Sequence, residues 1–178
     1  MNTLRLFVGI RFDSTAARLA GAVAERLRAQ GLRGRYVDLE DVHVTLAFLG
    51  SVEERMVDEL SAILVREAAS AAPFVIRFDR LGAFPNKLEP RIVWLGSRRP
   101  SPAFEAFGSA VRAAYAAIGF TFRDELRLHA TLCRPQLRSR IPDVSVEPFL
   151  LSAQTVCLIE STQGKPRYRT LYEARLGG

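Results

Sequence analysis

The chain has 178 residues, 48% of them hydrophobic, and a net charge of +6. That length holds one good-sized core or two small lobes sharing one, and the apolar content argues against disorder. The apolar run Leu6 to Ile10, closed by Arg11, is too short for a signal sequence or a membrane span, so a cytoplasmic protein with no membrane partner is expected.

Leu4 to Phe12 is rich in β-formers and reads as a central strand. Asp13 or Ser14 caps the helix that follows, whose apolar stripe is Ala16, Leu19, Ala20, Val23, Ala24 and Leu27. Gly31 and Gly34 close it, and Arg35 to Val37 suits a short strand. In Asp41 to Gly50, strand alternation puts His43, Thr45 and Ala47 on one face and Val44, Leu46 and Phe48 on the other. Such a strand has its back on a core and its front on a cleft. Ser51 with Glu54 reads as a capping box opening a second helix, with Met56, Val57, Leu60, Ile63 and Leu64 as its stripe. Pro73 marks its exit, Phe74 to Phe78 is a strand, and Leu81 to Pro90 is a surface loop near the midpoint of the chain.

The second half repeats this order. Arg91 to Leu95 is a strand, and Ser101 and Pro102 open a helix carrying Phe104, Phe107, Val111, Tyr115 and Ile118, ended by Gly119. Leu128 to Arg134 is a strand stopped by Pro135. After a loop with Arg138, Arg140 and Pro142, Phe149 to Ile159 and Tyr168 to Leu176 are further strands. The repetition points to an internal duplication, about 1–85 and 90–178, within a single domain spanning 1–178. The predicted fold is α+β and bilobal. Two mostly antiparallel sheets with flanking helices are related by a pseudo-twofold, and an active-site cleft lies between the lobes.

Both histidines of the chain lie in a repeated tetrapeptide, His43-Val44-Thr45-Leu46 and His129-Ala130-Thr131-Leu132, about half the chain length apart. A metal site needs one or two further ligands, and no H-E-x-x-H or C-x-x-C is present. A Ser-His-Asp hydrolase leaves the second histidine unexplained. Ordinary core histidines are the bland alternative, and two copies with threonine on the same strand face weigh against it. Paired general acid–base catalysis accounts for both copies, because imidazole offers both protonation states near neutrality. One histidine activates the nucleophile of a phosphodiester displacement, the other protonates the leaving oxygen, and Thr45 and Thr131 hydrogen-bond the non-bridging oxygens. Arg134 is the nearest cation for the developing charge. Alternation places it on the face opposite His129, so it reaches the phosphate only if the chain swings round at Pro135. Cys133, just after the second motif, reads as an apolar filler rather than a nucleophile. Residues 1–90 balance twelve Lys/Arg with twelve Asp/Glu, whereas 91–178 hold thirteen and seven. The basic excess of the second half suits a phosphate-bearing partner and equally a solvated arginine-rich surface.

The paired H-x-T-L motifs resemble the two-histidine (2H) phosphoesterase superfamily. The nearer likeness is to its RNA 2′,3′-cyclic phosphodiesterases, also called 2′-5′ RNA ligases. It extends over Leu6-Phe7-Val8-Gly9-Ile10, His43 to Gly50, Pro90 to Gly96, His129 to Arg134 and the Ser161, Gly164, Tyr168 region. The resemblance implies a hydrolase that opens 2′,3′-cyclic phosphate ends of RNA or nucleotides to 2′-phosphates, without metal or cofactor; a monomer is expected. It also implies reversal of the same chemistry as 2′-5′ ligation. It makes His43 the proton donor and His129 the proton acceptor, with Thr45, Thr131 and Arg134 on the phosphate and Phe48 on the base. Simple alternation, by contrast, sends Phe48 into the core. Two other readings stay open at this point: a non-catalytic RNA-end binder, and a 2H hydrolase of another cyclic or 2′-5′ linked nucleotide.

Overall fold

The computed structural model describes residues 2–177. Strand β1 (Thr3–Arg11) lies inside the main sheet because Leu6, Phe7, Val8 and Ile10 are apolar on both faces, and all four are buried. It pairs antiparallel with β3 (His43–Glu53) on one edge and with β9 (Thr155–Ser161) on the other. Beyond β9 lies β10 (Tyr168–Arg175). A second group is built on β7 (Ala130–Pro135), which pairs with β6 (Ile92–Gly96) and with the short β2 (Gly34–Tyr36). The outer strand there is β5 (Arg80–Phe84). The two groups join into one eight-stranded antiparallel sheet through β3 and β7, whose registered pair is Val44 with Ala130. Strands β4 (Phe74–Phe78) and β8 (Phe149–Ala153) form a separate two-stranded sheet.

The pairing of Val44 with Ala130 sets the symmetry of the fold. These are equivalent residues of the two H-x-T-L motifs, and an antiparallel pair of equivalent residues places a local twofold axis between them. The strands of the two chain halves interleave across this axis: β2 and β5 join β7 and β6, while β9 and β10 join β1 and β3. The helices α1 (Ser14–Ala29), α2 (Val57–Ala69) and α3 (Pro102–Ala116) cover the core face, with α2 against α3, α1 on β7 and α3 on β3. One apolar core runs from Leu6 and Leu46 through Leu60, Leu95 and Leu132 to Leu158. The fold is thus α+β with two antiparallel sheets, although both motif strands share the larger one rather than one sheet apiece.

Local chemistry explains the bounds of α1. The Asp13 carboxylate accepts from the backbone N–H of Ala16 at 2.8 Å, capping α1, and Gly31 ends the helix at φ +90°. Four expectations need correction. Ser51 does not open α2: it pairs with Arg5 inside β3, which runs on to Glu53, and a 3₁₀ turn (Glu54–Met56) precedes the helix. The ladder to β1 outcompetes a cap that gains little at an exposed site. Phe149 to Ile159 is two strands in different sheets, because Ser152 to Thr155 lets the chain cross over at Gln154. Leu81 to Phe84 belongs to β5, paired with β6, so the midpoint loop is shorter than expected. Leu19 and Ile118 lie on the solvent side of their stripes, at 43% and 37% exposure.

Candidate active site

Each motif strand carries a β-bulge at the leucine of H-x-T-L. Gly9 pairs with Thr45 and Val8 with Ala47, leaving Leu46 extra; Trp94 pairs with Thr131 and Val93 with Cys133, leaving Leu132 extra. A bulge adds one residue and reverses the alternation beyond it. Hence Leu46 and Ala47 both face the core, as do Leu132 and Cys133, and all four are buried. The next residues, Phe48 and Arg134, return to the side of the histidines. This corrects the expectation from simple alternation: Phe48 is 44% exposed and lines the cleft, and so does Arg134. No swing of the chain at Pro135 is needed to bring the arginine round.

A bulge frees a carbonyl that must find a donor. Arg112 Nε on α3 donates to the Leu46 carbonyl at 2.7 Å, and the backbone N–H of Val37 donates to the Leu132 carbonyl at 2.9 Å. Replacing Arg112 by leucine strands the first carbonyl and is expected to cost about 1–3 kcal/mol. Denaturant unfolding of the variant checks this, and an unchanged midpoint would show that the bulge needs no support.

His43, Thr45, His129 and Thr131 line one cleft of about 680 Å³, together with Phe48 and Arg134. All six residues singled out from the sequence are therefore brought together. Each imidazole is oriented the same way: His43 Nδ1 is 2.6 Å from the Asp41 carbonyl, and His129 Nδ1 is 3.0 Å from the Arg127 carbonyl. A carbonyl can only accept, so Nδ1 carries the proton and Nε2 is left with its lone pair for the cleft. Among the described residues neither threonine hydroxyl has a hydrogen-bond partner, so both are available to a ligand. Gly9 keeps β1 close beside the first motif: a Cβ there would sit 2.7 Å from the Val44 carbonyl oxygen.

The two imidazoles differ in their surroundings. His43 lies 4.8 Å from the Phe7 ring and 4.9 Å from the Tyr168 ring, centroid to centroid. Burial pushes its pKa down to about 4; the Asp41 carbonyl opposes this, and the Arg11 and His129 charges add to it. Arg11 also ties the turn before His43 to β10, donating to the Glu40 carbonyl at 2.8 Å, the Tyr168 carbonyl at 3.0 Å and the Thr170 hydroxyl at 2.9 Å. His129 packs edge-on to Phe84 at 5.2 Å, and its pKa is lowered, mainly by burial and then by Arg127, against the opposing effects of the Arg127 carbonyl and Asp124. Cys133 is fully buried behind the strand and burial raises its thiol pKa, which fits a packing role.

Sequence reasoning missed several cleft residues. Arg5 and Phe7 come from β1, Arg35 from β2, and Lys165 and Arg167 from the loop before β10. The Arg5 guanidinium lies 5.1 Å from the Phe48 ring centroid, giving that aromatic a cationic neighbour at the rim. The strand character of β1 is plain in the sequence, but its cleft face is hidden because both faces are apolar. Among the described residues, no three His, Cys, Asp or Glu side chains gather to hold a metal ion, and no helix is long and apolar enough to cross a membrane.

Two hydroxyls and two unprotonated imidazole nitrogens on a basic cleft suit proton transfer around a phosphate ester. The LigT-like phosphoesterase family model matches residues 10–94. The RNA 2′,3′-cyclic phosphodiesterase of Thermotoga maritima is 26% identical over 182 residues, covering 98% of this chain and 97% of that protein. The Aquifex aeolicus protein of the same name is 30% identical over 139 residues, covering 75% of this chain and 72% of that one. The crystal structure of E. coli LigT complexed with 3′-AMP superposes with a TM-score of 0.77 at 26% identity, covering 99% and 100% of the two chains. The chain therefore belongs to the LigT-like phosphoesterases of the 2H superfamily and is an enzyme of that hydrolase class.

Proposed function

We propose that this protein is an RNA 2′,3′-cyclic phosphodiesterase that works by two-histidine acid–base catalysis. The observation that carries this reading is the symmetric presentation of two imidazoles, each held by its own backbone carbonyl, with a free threonine hydroxyl two residues on. The names of the relatives and the nucleotide held by E. coli LigT support the substrate. His129 Nε2 takes a proton from water as the water oxygen attacks phosphorus. The bond from phosphorus to the 3′ oxygen breaks, and His43 supplies the proton that this oxygen needs. The product is a 2′-phosphate with a free 3′-hydroxyl. Thr45, Thr131 and Arg134 hold the non-bridging oxygens, and Phe48 contacts the base. The pseudo-twofold leaves the two histidines formally interchangeable; the family resemblance supplies the direction. If a 5′-hydroxyl attacks in place of water, the same two proton transfers give a 2′-5′ linkage, so ligation is the same reaction with a different nucleophile.

Phosphorus NMR of a 2′,3′-cyclic nucleotide incubated with the protein in excess EDTA checks the reading. Conversion to the 2′-phosphate at an undiminished rate is expected. Loss of turnover in EDTA would overturn the metal-free mechanism, and a 3′-phosphate product would reverse which oxygen leaves. Tight binding of RNA ends with no turnover would make the protein a binder.

A further inference from the structure

Strand β2 brings a second arginine to the cleft. Arg35 pairs directly with Arg134 across the β2–β7 ladder, and both line the cleft. Like charges directly opposite on a ladder repel and destabilise the pair. Among the described residues no ion pair relieves them: every ion pair uses some other arginine, and neither Arg35 nor Arg134 makes a side-chain hydrogen bond. The approach is also closely built. A Cβ on Gly34 would lie 2.5 Å from the Arg134 carbonyl oxygen, so only glycine lets β2 run this near β7. Tyr36 anchors the strand, its hydroxyl donating to the Leu32 carbonyl at 2.9 Å. A short strand held close against β7, presenting to the cleft an arginine with no ion-pair partner among the described residues, is a mount for that arginine.

The reacting phosphate does not need it. A cyclic phosphodiester has two non-bridging oxygens, and Thr45, Thr131 and Arg134 already supply donors to both. We propose that Arg35 binds the next phosphate, the phosphodiester on the 5′ side of the terminal nucleotide, and so makes the enzyme prefer RNA ends to free cyclic nucleotides. This rests on the cyclic phosphodiesterase reading above. Arg134 and Arg35 then hold consecutive phosphates of one strand, and the bound polyanion removes the repulsion between them. Arginine suits this because its guanidinium grips phosphate through two parallel hydrogen bonds.

The test compares kcat/KM for a 2′,3′-cyclic mononucleotide with that for a short oligoribonucleotide ending in the same cyclic phosphate, in the wild type, Arg35→Gln and Arg35→Lys. The wild type is expected to prefer the oligonucleotide, Arg35→Gln to lower that preference at least tenfold, and Arg35→Lys to keep part of it. The salt dependence of the oligonucleotide reaction should also flatten in Arg35→Gln, by a log–log slope of about 0.7 for one lost phosphate contact on a single strand. A preference that is the same in all three proteins overturns the role of Arg35 while leaving the cyclic phosphodiesterase intact. A wild type that turns over neither substrate overturns the parent reading as well.

Discussion

Replacing either His43 or His129 by glutamine is expected to lower kcat/KM by about 10²–10⁴-fold, the range supplied by one placed general acid or base. The two losses should be far from additive. Once one proton transfer is missing, the in-line displacement no longer gains fully from the other, so the double variant should be little worse than the weaker single one. Glutamine is the right replacement because it keeps a polar group of similar reach. Alanine at His43 would leave a hole between Phe7 and Tyr168 and mix stability with catalysis. Circular dichroism and thermal unfolding should show both variants folded, with melting temperatures near that of the wild type. Near-full activity in either single variant would disprove the pairing, because no other imidazole exists in the chain to substitute.

The repeated tetrapeptide makes the centre of this site legible in the amino-acid sequence. His43, Thr45, His129 and Thr131 precede the bulges, so period-two alternation holds for them. It fails for Phe48 and Arg134, which follow the bulges. A bulge inserts one residue without changing composition, and periodicity has no means to register it. One signal is present: Leu46-Ala47 and Leu132-Cys133 are both doublets of residues suited to a core, at the same place in the two copies. Two consecutive inward residues on a half-exposed strand require a bulge. The support for these bulges is not legible, because Arg112 reaches Leu46 from a helix 66 residues away in sequence. Arg35 is hidden for the same reason. The short strand Arg35 to Val37 is recognisable, but its partner is not, and without β7 beside it nothing marks Arg35 as a cleft residue. The Phe149 to Ile159 error is of a related kind: a continuous run of β-formers does not reveal that the chain changes sheets at Gln154.

The free protein should hold both imidazoles neutral at pH 7, and the substrate itself should make His43 an acid. His43 sits down at about 4 because it is buried, with Arg11 and His129 adding to the effect against the Asp41 carbonyl. A phosphodiester anion about 5 Å away, at an effective dielectric constant of about 20, is worth roughly 3 kcal/mol of attraction to the imidazolium. At about 1.4 kcal/mol per pKa unit this returns His43 to about 6, near its unperturbed value. Because the chain has two histidines, NMR titration with each glutamine variant assigns both imidazoles directly. The expected result is a His43 pKa near 4 without ligand, raised by about two units with a bound nucleotide phosphate. Kinetically, kcat/KM reflects the free enzyme and kcat the complex, so the alkaline limb of kcat should lie at higher pH than that of kcat/KM. Coincident limbs would mean that burial does not set the acid. The same shift has a stability signature of fixed sign. Between pH 6.5 and 4 the unfolded chain binds a proton that folded His43 refuses, so stability is full above pH 6.5 and is lost as pH falls towards 4. The loss attributable to this one group is roughly 3 kcal/mol. It should be absent in His43→Gln, whose stability should fall less than that of the wild type across that window, and a saturating nucleotide phosphate should reduce it in the wild type by raising the folded-state pKa.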